Sequence, residues 1–145
     1  MNLLTSIDQL WRLLPHSNVK YLTAEEILKL HKNVVDGTGG SQGIRDVGLL
    51  QSVVERPKTA VFGNELFPDV WSKAACYLHS IAMTHVFVDG NKRTSIISAV
   101  RFLFLNGQKF QATNKEVETY VLKVVSEKLD IATIAQWFKI HSKET

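Results

Sequence analysis

Residues 85–94 read His-Val-Phe-Val-Asp-Gly-Asn-Lys-Arg-Thr, a tight polar loop set between two apolar-periodic stretches and running into the first turn of the second. Before it, Trp71, Ala74, Ala75, Leu78, Ile81 and Ala82 keep a 3.6-residue period, and after it Ile96, Ile97, Val100, Leu103 and Phe104 do the same until Asn106-Gly107 supplies a left-handed stop. The segment therefore joins two core helices. Its charges stand at the wrong end. A helix N-terminus carries roughly half a positive charge, so Lys92 and Arg93 in the first turn are each disfavoured by a few tenths to about 1 kcal/mol unless something negative compensates. Exposed backbone N–H groups, two cations and a permissive Gly90 converge on one small volume, which is how phosphate oxygens are held. Gly90 to Thr94, with Asn91, Lys92 and Arg93 between them, read as a phosphate cradle. A solvated basic first turn balanced by Asp89 as helix cap is the purely structural alternative.

His85 falls at the end of the preceding helix, and Asp89, four residues on, is expected to face it across the loop. The pair is suited to proton transfer beside phosphate. A carboxylate next to a phosphate cradle makes electrostatic sense when a divalent cation lies between them, and Mg²⁺ usually takes one or two carboxylates plus substrate phosphates. Asp89 is the expected ligand. Phe87, between the two polar residues, is expected to plug the core and pin the loop. No cysteine or further histidine stands at zinc-ligand spacing, so a structural zinc site is not expected. His31 and His79 read as packing histidines. Gly39-Gly-Ser-Gln-Gly43 lacks the G-x-x-x-x-G-K-[ST] pattern and reads as a turn that feeds a cap at Asp46.

Further out, Thr23 and Glu26 form a capping box for a helix that ends in Gly37-Thr-Gly-Gly40, and Asp46 caps a short helix that Pro57 is expected to stop. Val61, Phe62, Gly63, Asn64, Glu65 and Leu66 form a small flap, with Gly63-Asn64 as its turn and Leu66-Phe67 as its return strand. Two more helical stretches, about Asn114 to Glu127 and Asp130 to His141, complete an essentially all-α chain. The expected organisation is a helical extension over residues 1–20, a domain over 21–141 and a tail over 142–145.

The 145 residues carry 17 basic and 14 acidic side chains, 17 − 14 = +3, with 45% apolar and 21% charged residues. Those values suit one soluble domain and exclude disordered, collagen-like and disulfide-scaffold classes. A charge of +3 spread along the chain is far from a duplex-DNA binder, and no direct nucleic-acid contact is expected. Cys76 lies in an apolar helical pattern and reads as an inert buried thiol. Leu3, Ile7, Leu10 and Leu14 suggest a short amphipathic helix over Thr5–Leu14, which Asp8, Gln9 and Arg12 disqualify as a signal peptide or membrane span. A reducing cytoplasm is the expected compartment.

The 85–94 segment resembles the signature of the Fic/Doc (Fido) family, H-x-F-x-[DE]-[GA]-N-x-R. Gly39-Gly40, Gly43-Ile-Arg-Asp46, Arg56-Pro57 and Phe102-Leu103 before Asn106-Gly107 extend the likeness toward death-on-curing (Doc) toxins, over about Tyr21 to His141. The resemblance implies a compact helical bundle that transfers part or all of a nucleotide phosphate, with ATP and Mg²⁺, to a protein hydroxyl. It implies His85 as general base, Asp89 as Mg²⁺ ligand, and Asn91, Lys92 and Arg93 with the Gly90 backbone on the phosphates. The Val61–Leu66 flap would align the target by strand-like pairing. It further implies a kinase acting on a threonine of translation elongation factor Tu, restrained by an antitoxin acting in trans.

Lys92 stands where AMP-transferring relatives carry glycine, and Ile96 where they carry a second arginine. These departures favour γ-phosphoryl transfer over AMP transfer, because positioned electrostatics decide which phosphorus faces the nucleophile. AMP transfer and a catalytically inactive binding module are the alternatives. The built-in inhibitory pattern [ST]-x-x-x-E-[GN] is absent from the sequence, consistent with inhibition by a separate chain.

Overall fold

The structure, a computed structural model, describes residues 18–145, so the stretch Thr5–Leu14 lies outside the described residues. Among these, the helices are α1 (Ala24–Thr38), α2 (Val47–Glu55), α3 (Val70–Thr84), α4 (Asn91–Leu105), α5 (Asn114–Glu127) and α6 (Ile131–Ile140). None is long and apolar enough to cross a membrane. Local chemistry sets most of their starts. The Thr23 hydroxyl accepts from Glu26 N–H at 3.1 Å while Glu26 reaches back to Thr23 N–H at 3.2 Å, and Thr113 with Glu116 repeats the box before α5. Asp46, Asp69 and Asp130 cap α2, α3 and α6 with their carboxylates. Each such cap contributes about 1 kcal/mol by satisfying an N–H that the helix itself cannot.

Helix α3 is the centre of the fold, and α4 and α6 pack against it. Six consecutive residues, Lys73, Ala74, Ala75, Cys76, Tyr77 and Leu78, are buried, so α3 has no solvent face along this stretch. Its alanines and Cys76 let neighbours approach closely, and burial pushes the Cys76 thiol up to about 12, as suits an inert packing group. Tyr77 packs against Phe102 of α4 at 5.2 Å between ring centroids, and its hydroxyl accepts from Leu22 N–H at 3.1 Å. That single bond ties the approach to α1 into the core.

Pro57 ends α2 as expected, the helix stopping at Glu55, and itself sits inside a 3₁₀ turn, Arg56–Lys58, where its missing N–H costs nothing. Two details differ from the sequence reading. In the flap, β1 (Ala60–Val61) pairs with β2 (Asn64–Glu65), and the turn residues are Phe62 and Gly63, at φ 51° and 78°. Two left-handed residues match the strand twist of a two-residue hairpin, which moves the turn one position earlier than Gly63-Asn64. Leu66 does not form a return strand with Phe67, although its N–H still donates to Thr59 O at 3.0 Å. Finally, residues read as a tail form a strand: β3 (Gln108–Phe110) pairs antiparallel with β4 (Ser142–Glu144), Gln108 opposite Glu144.

The 3₁₀ turn is wired to α3 through Arg56, which donates to His79 Nδ1 at 2.9 Å and to Ser80 Oγ at 2.8 Å. Arginine has no acceptor, so His79 must offer an unprotonated Nδ1. Desolvation first, then the neighbouring guanidinium, holds its imidazole below the ordinary 6.5.

Two outcomes follow from these contacts. Tyr77→Phe leaves the buried Leu22 N–H unpartnered and should lower unfolding free energy by about 1–3 kcal/mol in urea titrations. For His79, the unfolded chain takes the proton first as pH falls through 6.5, so stability present above that value is lost below it. Urea midpoints measured across this range should fall on acidification, and less steeply in His79→Gln.

Candidate active site

The loop between α3 and α4 is held by backbone pairing to a segment distant in sequence. Val88 N–H donates to Gly43 O at 3.0 Å, Arg45 and Asp46 N–H groups share Val86 O at 2.8 and 3.2 Å, and Ile44 bridges Phe87 antiparallel. Arg45 then reaches the end of α3, donating from Nε to His85 O at 2.6 Å and from its guanidinium to Thr84 O at 2.9 Å. A cation on the last carbonyls complements the negative end of the helix. It also fixes His85 in the left-handed region, φ 52° and ψ 57°, a conformation tolerated by histidine better than by most residues. The His85 side chain is exposed there, with its imidazole on a cleft.

Beneath the loop Phe87 is fully buried and stacks on the buried His31 ring, centroids 3.7 Å apart and planes within 6°. The Asn91 carboxamide accepts from Phe87 N–H and donates to Phe87 O, both at 2.9 Å. One donor and one acceptor of this side chain are spent on closing the loop. His31 Nε2 lies 2.7 Å from Asp89 O and must donate, because a carbonyl only accepts. His31 is therefore a satisfied packing histidine with a second task, fixing the Asp89 backbone.

Among the described residues the Asp89 carboxylate makes no hydrogen bond or ion pair with His85, which the sequence reading set opposite it. It accepts from Ser41 N–H at 3.1 Å and Gly90 N–H at 2.8 Å and lies 3.7 Å from the Arg93 guanidinium. The Ser41 and Gly90 amides, then Arg93, hold it below the usual carboxylate range. Nor is Asp89 the helix cap. That position belongs to Gly90, φ 78° and ψ 17°, and no side chain caps α4. The result is a fifteen-residue helix whose first N–H groups are open, with no acidic residue in its first turn.

Lys92 is exposed, while Arg93 donates to the Thr38 hydroxyl and to Gly39 O at 2.8 Å. The turn after α1 is thereby pinned to the start of α4. A Cβ built on Gly40 would stand 2.4 Å from Asp89 Oδ2 and 3.1 Å from Arg93, at φ +116°. Only glycine allows this approach, a role that composition of the Gly39–Gly43 stretch did not reveal.

These groups line a cleft of about 880 Å³. His85, Asp89, Gly90, Asn91, Lys92 and Arg93 all border it, so the structure brings together every catalytic, metal and phosphate candidate of the sequence reading. The lining continues with Ile96 of α4 and with Asn114, Glu118 and Leu122 of α5. The volume suits a nucleotide-sized ligand. The flap residues Val61, Phe62, Gly63, Asn64, Glu65 and Leu66 are exposed and do not line the cleft, and Phe87 lies under it. Among the described residues no three His, Cys, Asp or Glu side chains form a metal-binding group. Asp89 keeps lone pairs beyond its two N–H bonds, which suits a cation held mainly by ligand phosphates rather than a protein cage. Sequence reasoning met Arg45 only within the Gly43–Asp46 likeness and gave it no role, because nothing local distinguishes it from a solvated arginine.

A helical domain whose open helix N-terminus, two cations and exposed imidazole share one cleft defines a class of anion-binding, proton-handling proteins. Residues 21–103 match the model of the Fic/DOC family. The chain is 36% identical over 118 residues to Toxin Doc of Mycolicibacterium smegmatis, covering 80% of this chain and 88% of that one. It is 34% identical over 89 residues to Protein kinase doc of Escherichia phage P1, covering 61% of this chain and 70% of that one. The protein belongs to the Fic/DOC family.

Gly40→Ala should push the Asp89 carboxylate off Ser41 and force a left-handed alanine, lowering stability by about 1–3 kcal/mol in denaturant titration.

Proposed function

We propose that this protein is a Doc-type toxin that transfers the γ-phosphoryl group of ATP to a Ser or Thr hydroxyl of a target protein, and that elongation factor Tu is that target. A separate antitoxin holds it in check, and both act in the cytoplasm. The observation that carries the reading is the exposed His85 imidazole standing on the same cleft as the uncapped start of α4. The names of the two relatives, one a toxin and one a protein kinase, support it.

In this reading the open N–H groups after Gly90, with Lys92 and Arg93, hold the phosphates. Positioning and charge do most of the work in phosphoryl transfer. Asp89 would hold Mg²⁺, which when bound with ATP offsets the phosphate charge. The imidazole of His85 accepts the hydroxyl proton, the hydroxyl oxygen forms a bond to the γ-phosphorus, and ADP departs with the electron pair of the broken P–O bond. The left-handed backbone at His85, clamped by Arg45, sets where that imidazole stands. The flap presents the unpaired edge of a two-strand ribbon, against which an extended target segment can add. An apolar Ile96 on the cleft wall, rather than an arginine, favours presentation of the γ-phosphorus over the α.

Incubation of the protein and a bacterial lysate with γ-labelled or α-labelled ATP checks the reaction. Label should enter protein from the γ position with a mass gain of about 80 Da; transfer from the α position with about 329 Da would mean AMP transfer instead. Expression without an antitoxin should arrest growth, and His85→Ala should abolish both arrest and labelling. Equal toxicity of the two chains would point to a binding mechanism.

A further inference from the structure

Lys73 is the one lysine in the buried core of the described residues, its side chain 2% exposed, and no step of the proposed reaction uses it. Burying an ammonium is costly unless every donor finds a partner. Here all three are matched. Lys73 Nζ donates to Glu65 Oε1 at 3.0 Å, to Phe67 O at 2.5 Å and to Pro57 O at 3.4 Å. It also lies 5.8 Å from the centroid of the Tyr21 ring.

The partners come from both ends of one exposed element. Pro57 precedes β1, Glu65 lies in β2, and Phe67 follows it, so one buried group grips entry, return strand and exit of the flap. Little else holds this hairpin. Both strands are exposed, Phe62 at its tip is fully exposed, and its two-residue strands are too short to persist alone. Around the grip, Arg56 lies 5.8 Å from the Phe67 ring centroid and Thr59 closes the 3₁₀ turn at Arg56 O. Glu65 is only 37% exposed, its carboxylate drawn inward to Lys73 in place of full solvation.

We infer that Lys73 is a positioning residue for the protein substrate: from within α3 it holds entry, return strand and exit of the flap at one point, and so fixes the edge against which a target segment pairs. This inference rests on the transferase reading above, in which the flap aligns the target. It assigns to the ion pair an effect on target modification that leaves the nucleotide site alone, since Lys73 does not line the cleft.

Lys73→Met keeps the apolar stem and removes the grip. Amide hydrogen exchange across residues 60–66 should rise by roughly tenfold or more while exchange in α3 and α4 stays near wild type. Affinity for a non-hydrolysable ATP analogue should remain within about twofold, and γ-label transfer into lysate protein should fall by roughly tenfold or more. Glu65→Gln, which keeps an acceptor but removes the charge, should show the same pattern at smaller amplitude and serves if Lys73→Met does not fold. Unchanged flap exchange, unchanged labelling with a loosened flap, or a parallel loss of analogue affinity would each overturn the inference. A wild-type protein that labels nothing would instead sink the transferase reading, while the exchange measurement still reports on the grip.

Discussion

A short connection between two buried helices must satisfy its own backbone while leaving a functional surface open above it. In this protein the Asn91 carboxamide does so by pairing with both polar groups of Phe87, a side chain standing in for a strand partner. The Phe87 ring is thereby directed into the core onto His31, with Val86 buried beside it and Val88 turned outward. Without that pair two buried backbone groups would each lack a partner, at a cost of about 1–3 kcal/mol apiece. His85 on one flank and Gly90 on the other take left-handed conformations that a loop of this tightness requires. The exposed imidazole and the uncapped helix start are two consequences of one closed loop.

The electrostatics follow from the same closure. With Gly90 at the cap position, the partial positive charge of α4 is neither capped nor balanced by an acidic first turn. Lys92 and Arg93 add to it. Arg93 is partly offset by Asp89 and by acceptors on the turn after α1, which keeps two like charges from disrupting the helix end. Lys92 has no comparable compensation among the described residues. The uncapped helix start and Lys92 thus add local positive charge at the cleft of a chain whose net charge is only +3.

The parts legible in the sequence were those encoded within one turn or one period. The Thr23–Glu26 box, the Asp46 cap, the apolar stripe of α3 and the bounds of α5 all match, because their signals are local. The α4 stripe does not: Ile97 and Phe104 are exposed, and the buried face is Thr94, Ser95, Ser98, Ala99, Phe102 and Leu103, the first four of them small residues that let α4 approach α3. The 85–94 segment likewise announced the cleft, since misplaced charge at a helix start is visible without coordinates. What escaped depends on pairing across distance. Strands β3 and β4 are too short to show alternation and meet only when the chain end returns to Gln108. Arg45 matters because it meets the end of α3, forty residues away. Asp89 was expected opposite His85 on sequence spacing, but Ser41, brought near by the Gly40 approach, offers a backbone N–H that the spacing could not foresee. Lys73 was invisible for a different reason: on a helix with no solvent face, a lysine interrupts no stripe.

Stability and specificity part company at that lysine. A buried ion pair seldom adds net stability, because desolvation offsets the attraction, and an apolar residue of similar volume often does as well. A core helix that retains Lys73 amid Ala74, Ala75 and Tyr77 is therefore not explained by packing. What an apolar side chain cannot do is hold two carbonyls and a carboxylate from an otherwise exposed hairpin at one point. The cleft is held by backbone pairing and glycine contact, whereas the flap is tied to the core chiefly through this grip. Cleft and flap are then two parts of the fold anchored by separate means, and they meet at α3, which His85 follows and which carries Lys73 in its first turn.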